Sequence, residues 1–329
     1  MARNRSVFSY ARGLSRDIRV LGKNLDMANP WSTFFDFVGP ASSWLDHERS
    51  ELRPPKRLGE VDGFLRSVAH ATVPRAFFLR DSPCSLPKVD ENDPFPREAW
   101  FFVNGIGSDL TLLAKHGDFL EALFGRRCEL VYNPTDGLPL DILESVLGHT
   151  LDAQERPADY LLERVTDALS DSRLDRVVVV GHSHGAKVVS RMLEQLVPGL
   201  QDSAPLRRLE VYTLGAAADA MEVHPTLSRD AGRLVPYVEH YANLDDVIAR
   251  IGILQGRPKP AETRRAPGRG GDGTTLRGEI YVLPNRGHLL NAHYLPAVGE
   301  RRFRSDRFGG DSRLYGYLGG ATPDYFNTL

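Results

Sequence analysis

The sequence predicts an α/β protein, with a doubly wound, mostly parallel sheet that carries helices on both faces. From residue 98 onward, strand-like and helix-like segments alternate, which is typical of parallel strands joined by crossover helices. Residues 177–180 are four consecutive valines. A continuous apolar run of this kind indicates a central strand that is covered on both faces.

The predicted elements follow one another in chain order. Residues 99–103 form a short apolar strand that enters the glycine loop NGIGSD, and Gly125 is the predicted end of the helix that follows. The later segments predict a strand at 128–134, a helix opened by Pro157, a strand at 176–180, a helix at 186–196, and strands at 208–215, 237–243 and, as the last one, 279–283.

The first 97 residues show no such alternation, so we expect an N-terminal extension at 1–97 and the main domain at 98–329. Residues 82–96 are rich in proline and acidic residues, which is typical of a surface linker. Aromatic segments at 31–38 and 75–80 are expected to pack on the main domain, as a lid or an extra edge strand. Glycine, proline and basic residues at 256–278 predict a mobile surface loop.

Charge and cysteine content exclude several classes of protein. Lys and Arg total 41 against 43 Asp and Glu, so the formal net charge of −2 argues against a nucleic-acid partner. Cys84 and Cys128 are too few for a disulfide framework and lack metal-ligand spacing. These features favour a reducing compartment and give no indication of the oligomeric state.

The sequence also shows no membrane-spanning segment and no secretory signal. No apolar stretch reaches the roughly 18 residues of a membrane span, and residues 1–23 lack the apolar core of a secretory signal. We therefore expect a soluble, cytoplasmic protein, with signal-independent export left open. Six basic residues within 1–23 also fit contact with a membrane surface, although a solvated amphipathic helix explains them more simply.

The main chemical signal is the pentapeptide GHSHG at 181–185, which fits the pattern G-x-S-x-G. It lies between an apolar strand and an amphipathic helix, the context that the motif requires. The two glycines let the backbone turn sharply, so that Ser183 adopts a strained conformation. The helix that begins just beyond Ser183 directs N–H groups and a positive dipole end toward a developing oxyanion.

On these residues the chain resembles the α/β-hydrolase family over about residues 98–300, and the GHSHG sequence is similar to the elbow of bacterial lipases and esterases. The resemblance implies an α/β-hydrolase-type sheet and a Ser-Asp-His triad in that chain order. Ser183 would be the nucleophile. The acid would be Asp245, because the family often shows Asp-x-Val here, with Asp246 as the alternative. The base would be His288, with His293 as the alternative.

The resemblance also implies the roles of these groups. His288 would take the proton of Ser183, and Asp245 would orient the imidazole and stabilise its charged form. Two backbone N–H groups would bind the oxyanion, those of His184 and Ile106. Ile106 belongs to an Asn-Gly-Ile segment that resembles the family's His-Gly-x loop, with asparagine in place of histidine. This chemistry implies no metal and no organic cofactor.

The expected function is therefore serine-dependent cleavage of a carboxylic ester, and the substrate is a small-molecule or lipid ester. A lipid or acyl ester is favoured by aromatic residues that could line an acyl pocket, namely Trp31, Phe34, Phe35 and Phe37. Two alternatives stay open, a binding module that has lost catalysis and an acyltransferase with the same nucleophile. A metal pair of His182 and His184 is disfavoured, because a sharp turn separates the rings and no third ligand is near in sequence.

Overall fold

The structure is a computed structural model that describes residues 39, 49–51, 85–86, 93–105, 108–134, 155–199, 204–218, 221, 236–255, 278–306 and 310–323. These residues form a mostly parallel, eight-stranded sheet with helices on both faces, which confirms the predicted fold class. The aromatic segments at 31–38 and 75–80, the basic residues within 1–23, and residues 256–277 of the predicted loop lie outside the described residues.

The elements include every predicted strand and helix, with bounds that agree to within a few residues, and others that were not predicted from the sequence. In chain order they are β1 (Ser85–Leu86), β2 (Glu98–Val103), α1 (Leu110–Phe124), β3 (Glu129–Val131), α2 (Glu155–Ser170), β4 (Arg176–His182), α3 (Gly185–Gly199), a 3₁₀ turn (Pro205–Arg208), β5 (Leu209–Leu214), β6 (Tyr237–Asn243), α4 (Val247–Ile251), β7 (Glu279–Leu283), a π-helix (Leu290–Tyr294), α5 (Leu295–Gly299), β8 (Arg304–Ser305) and a 3₁₀ segment (Arg313–Gly320).

The strands lie in the order β1-β3-β2-β4-β5-β6-β7-β8. Strands β2 to β7 are parallel, while β1 and β8 pair antiparallel at the two edges. Two expectations need correction, since β1 lies within the predicted linker at 82–96 and β8 follows the strand expected to be last. Both strands have two residues, too few for a periodic pattern to reveal.

The valine run lies at the centre of the sheet, as its composition predicts. Val178 belongs to the apolar cluster that contains Leu113 of α1. Val177, its neighbour on the strand, belongs to the opposite cluster, which contains Leu161 of α2 and Met192 of α3. Side chains alternate between the two faces of a strand, so helices on both faces require a strand that is apolar at every position.

The parallel strands all run in one direction, and the register brings their carboxyl ends together at one end of the sheet. Val103 at the end of β2 pairs with Gly181 of β4, and Leu214 at the end of β5 pairs with His182. In open parallel sheets, ligands bind outside the carboxyl ends of the strands. The loops that carry the predicted site residues follow these ends. Within the described part of the chain, no helix has the length and apolar character needed to cross a membrane.

Candidate active site

The turn between β4 and α3 holds Ser183 in a left-handed conformation, with φ at 55°. The Ser183 N–H donates to the carbonyl of Leu214 at 3.0 Å, and its own carbonyl accepts from the N–H groups of Ala186 and Ala217, both at 3.1 Å. A positive φ is costly for a residue that has a Cβ, and such strain clusters at functional sites. The predicted sharp turn at this serine is confirmed.

The glycines of the motif are required by close packing. A Cβ on Gly181 would lie 3.2 Å from the backbone nitrogen of Ala186 in α3, and a Cβ on Gly185 would lie 2.7 Å from the carbonyl oxygen of Asn104. The loop after β2 approaches equally closely, since a Cβ on Gly105 would lie 2.7 Å from the Cβ of Ser183. The three glycines let the β2 loop and α3 close around the serine.

Gly185→Ala is expected to lower the free energy of unfolding by roughly 1–3 kcal/mol, the usual range for overpacking. The added methyl group would meet backbone oxygens of β2 and its loop, which cannot rotate away as a side chain can. Urea denaturation measures the effect. Gly310→Ala is the matched control, because Gly310 is exposed and an added Cβ there meets nothing within 4 Å. Equal stabilities of the two variants would contradict the prediction.

The hydroxyl of Ser183 is buried in this conformation. The residue is 1% exposed, and its Oγ has no hydrogen-bond partner among the described residues. A buried hydroxyl in this state costs about 1–3 kcal/mol, and exceptions of this kind require an explanation. Readiness to react with a bound substrate is such an explanation.

The acidic partner of His288 is Asp246, which corrects the prediction of Asp245. Asp246 is buried, and its Oδ2 lies 2.7 Å from Nδ1 of His288, whereas Asp245 is exposed. Strand β6 ends at Asn243, and the chain then turns so that the N–H of Asp246 donates to the carbonyl of Asn243 at 3.1 Å. This turn directs the second of the two carboxylates inward.

Both oxygens of Asp246 are held. Oδ1 caps α4 by accepting from the N–H groups of Ile248 at 2.8 Å and Ala249 at 3.3 Å. Oδ2 accepts from the hydroxyl of Tyr294 at 2.5 Å, in addition to His288. Burial raises the pKa of Tyr294 well above its usual value, so its hydroxyl remains a donor. The carboxylate is therefore fixed in position and orientation.

His288 lies in the turn between β7 and the π-helix, residues 284–289, which we call the histidine turn. Its Nδ1 faces a carboxylate, so Nδ1 carries the proton and Nε2 keeps the lone pair that a general base needs. The ring stacks on that of His182, the residue before Ser183, with centroids 4.9 Å apart. The predicted nucleophile and base thus both lie at the carboxyl ends of the parallel strands.

The backbone of the histidine turn is held by side chains of the sheet. Asn243 Nδ2 donates to the carbonyl of Gly287 at 2.9 Å, and His182 Nε2 donates to the carbonyl of His288 at 3.0 Å. His293, the alternative base, has a different place: its Nδ1 accepts from the N–H of Leu289 at 3.0 Å. Its ring packs against Gly287, where a Cβ would lie 2.5 Å from Nδ1. His293 therefore supports the turn and does not contact Asp246 in the way His288 does.

The expected oxyanion region contains a network of amide side chains. Asn104 pins the β2 loop to the end of β3, since its Oδ1 accepts from the N–H of Asn133 at 2.7 Å and its Nδ2 donates to the carbonyl of Gly105 at 2.9 Å. Asn133 Nδ2 lies 3.1 Å from Nδ1 of His184 and donates to it. The predicted donor His184 is thus held beside Ser183. The second predicted donor, Ile106, lies outside the described residues.

Three buried histidines near the elbow are held in the neutral form. Burial lowers the pKa of His116 to about 4 and that of His184 to about 3. Burial, with a further contribution from the charge on His288, lowers the pKa of His182 well below its usual value. These rings act at neutral pH as fixed donors and acceptors and not as additional bases.

Acidification is expected to destabilise the fold through these histidines. Each has a lowered pKa, so its contribution is present above pH 6.5 and is lost as the pH falls, because only the unfolded state takes up the proton. His116 alone contributes roughly 3 kcal/mol between pH 6.5 and 4. Burial raises the pKa of Glu51 to about 7, so the folded state takes up a proton there as the pH falls and gains stability. This gain offsets the loss from only one of the three histidines.

Urea denaturation of the wild type and His116→Asn at pH 7 and pH 5 measures this effect. The asparagine can still donate to Asn291 Oδ1, as Nδ1 of His116 does at 2.9 Å. It does not titrate, so we expect a weaker loss of stability in the variant. An equal loss in both proteins would remove His116 as a cause.

The described residues contain no group of three or more His, Cys, Asp or Glu residues placed to hold a metal ion. The rings of His182 and His184 make separate contacts, the first with the histidine turn and the second with Asn133.

Sequence reasoning missed several residues of this site. Asp246 could have been preferred over Asp245, because an acidic residue directly before the apolar run that starts at Val247 is a helix N-cap signal. Tyr294 and Asn243 gave only weaker signals, a tyrosine beside a candidate histidine and an asparagine at a strand end. Their roles depend on contacts between distant segments.

No protein-family model and no curated protein matches the sequence. Among solved structures, the chain is similar to the crystal structure of ESTFA, an esterase, in a form that lacks iron. The identity is 12% and the TM-score 0.38, and the similarity covers 69% of this chain and 84% of that chain. Similarity at this level is a distant fold relationship at most.

Proposed function

We propose that the protein is a serine hydrolase of the α/β-hydrolase type that cleaves carboxylic esters through an acyl-enzyme on Ser183. The observation that carries this proposal is the strained Ser183, with φ at 55°, which lies with the buried pair of Asp246 and His288 at the carboxyl ends of the parallel strands. A strained serine, an imidazole that can accept a proton at Nε2 and a buried carboxylate are the parts that nucleophilic acyl transfer needs.

In the proposed mechanism, Nε2 of His288 takes the hydroxyl proton as Oγ of Ser183 attacks the ester carbonyl. The tetrahedral oxyanion accepts hydrogen bonds from two backbone N–H groups, that of His184 and that of Ile106, the second donor that the sequence resemblance implies. The C–O bond of the ester then breaks, and His288 returns the proton to the departing alcohol. Water, activated in the same way, releases the carboxylic acid and regenerates Ser183.

A lipid or acyl ester is the narrower proposal for the substrate. It rests on the aromatic residues of the N-terminal extension, which lie outside the described residues. Rates on a panel of p-nitrophenyl esters from acetate to palmitate test it. Preference for long chains would support a lipid substrate, and equal rates on acetyl and long-chain esters would remove the lipid specialisation.

Labelling with a fluorophosphonate probe tests the proposed function itself, since the probe reacts with an activated serine and leaves an adduct that peptide mass spectrometry locates. We expect an adduct confined to Ser183 and no adduct in Ser183→Ala. A folded wild-type protein that takes no label and hydrolyses no ester would favour the binding module. Labelling together with ester formation in the presence of an added alcohol, in excess of hydrolysis, would favour the acyltransferase.

A further inference from the structure

Glu51 is a buried carboxylate that the proposed triad does not use. It contacts the π-helix more than 200 residues further along the chain: Oε1 accepts from the N–H of Asn291 at 2.6 Å and Oε2 from the N–H of Ala292 at 3.1 Å. Both N–H groups lie in the first turn of that helix, where backbone donors lack partners within the helix. The carboxylate therefore caps the N-terminus of the π-helix that follows the histidine turn.

The same N-terminal stretch, residues 49–51, has a second anchor at this position. Asn291 Nδ2 donates to the carbonyl of Arg49 at 3.0 Å, and Asn291 Oδ1 accepts from Nδ1 of His116 at 2.9 Å. The guanidinium of Arg49 also lies 5.0 Å from the ring centroid of Phe119. Asn291, which is fully buried, thus joins the N-terminal stretch, α1 and the π-helix.

The contacts of Glu51 complete the support of the histidine turn. The sheet holds the turn at the carbonyls of Gly287 and His288, through Asn243 and His182. Glu51 holds the other end, three residues beyond His288. His293 also supports the turn through the N–H of Leu289, and among these supporting side chains Glu51 is the carboxylate. A shift of the π-helix would move the turn, because the two are continuous in the chain.

The raised pKa of Glu51 indicates that its buried charge lowers the stability of the fold at neutral pH, which points to a role other than stability. Burial raises its pKa to about 7, although hydrogen bonds from three backbone N–H groups (Asn291, Ala292 and Glu51 itself) and the charge on His288 act in the opposite direction. Desolvation therefore outweighs the hydrogen bonds. Its contribution to stability is full below pH 4.5 and is lost as the pH rises to about 7. A carboxylate kept at this cost beside a candidate active site is typical of functional groups.

We infer that Glu51 is a positioning residue of the active site. It fixes the start of the π-helix, so that the histidine turn holds His288 against Asp246, and its negative charge stabilises the imidazolium that forms on His288 during catalysis. This inference rests on the proposed function. It makes a residue of the N-terminal extension part of the working site, although the sequence places that extension outside the main domain.

Charged and titratable groups on every neighbouring element bear on the pH dependence. They are Arg49 on the same stretch, Lys115 and His116 on α1, His182 on β4, and His288 and His293 around the histidine turn. Lowered pKa values keep His116 and His182 neutral near pH 7. Neither of these two rings therefore titrates in the range where Glu51 does.

The test compares ester hydrolysis by the full-length wild type and Glu51→Gln from pH 5 to pH 9. Glutamine keeps the size of the side chain but loses the charge and offers an NH₂ group to one of the two N–H donors. We expect kcat to fall roughly 10- to 100-fold, as for a small misplacement of a reacting group, with KM little changed. The acid limb should lose an inflection near pH 7 that the wild type shows.

Glu300→Gln is the matched control, since Glu300 is exposed and forms a surface ion pair with Arg302 at 3.5 Å. Its kinetics should equal those of the wild type. The urea midpoint of Glu51→Gln at pH 8 should be close to that of the wild type, because removal of the buried charge offsets the loss of one hydrogen bond. A lowered midpoint with a proportional loss of activity would indicate a merely structural role and overturn the inference.

Two further outcomes keep this inference apart from the proposed function. If the wild type is active and Glu51→Gln has the same kcat and the same pH profile, the inference fails alone. If the folded wild type neither hydrolyses esters nor reacts with a fluorophosphonate at Ser183, the proposed function fails and the positioning role falls with it.

Discussion

Ser183→Ala is expected to reduce kcat/KM for ester hydrolysis by about 10⁵- to 10⁶-fold, because the nucleophile and the covalent route are both lost. The fold should be retained. Alanine tolerates a φ of 55° no worse than serine does, and Oγ has no hydrogen-bond partner among the described residues that its removal would leave unsatisfied. Steady-state kinetics with a short-chain ester, together with the urea midpoint, measure both parts of this prediction.

Ser170→Ala is the control for this substitution. Ser170 is exposed at the end of α2, where its hydroxyl donates to the carbonyl of Thr166 at 2.8 Å. The control should keep wild-type activity. Activity of Ser183→Ala within tenfold of the wild type would show that hydrolysis does not use this serine, and the elbow would then be a structural turn only.

Asp246→Asn is expected to lower kcat by about 10⁴-fold, as for replacement of the acid in a serine triad. Asparagine can still cap α4 through Oδ1, so the helix should form. If its amide nitrogen faces His288, it donates to Nδ1 and forces the proton of the ring onto Nε2. The imidazole then has no lone pair for the hydroxyl of Ser183, and its charged form loses a buried counter-ion.

Asp245→Asn is a closely matched control, because the same change is made one residue earlier, at an exposed position. We expect its kcat to remain within about twofold of the wild type, as for a surface substitution. The reverse ranking of the two variants would restore Asp245 as the acid. It would also mean that the contact at 2.7 Å between Asp246 and His288 is not the one used in catalysis.

The pair of aspartates shows where prediction from sequence reached its limit. The segment after β6 was predicted to carry the acid, and similarity to an Asp-x-Val pattern favoured Asp245, whereas Asp246 is the residue that contacts His288. Neighbouring residues in a turn point in different directions, and only the path of the chain decides which one faces inward. The helix that begins at Val247 makes that decision, because its N-cap must be the residue before it.

The residues that support the site were less predictable still. The hydroxyl of Tyr294 contacts both Asp246 and the N–H of Asn243 at the end of β6, and Glu51 reaches Asn291 from the N-terminal extension. Neither residue lies in a periodic segment or a motif. Hydrogen-bond partners that are distant in the chain follow from the packing of whole elements, which local patterns do not specify.

Local patterns were sufficient for the inner strands of the sheet, for their order along the chain and for the sharp turn at Ser183. Hydrophobic periodicity reports which faces are buried, and glycine spacing reports a sharp turn, and both act over a few residues. Only the tertiary structure showed that Asp246 contacts His288, that Tyr294 donates to Asp246 and that Glu51 contacts the π-helix. Each depends on the register and close packing of strand ends, where a shift of one residue exchanges an inward side chain for an exposed one.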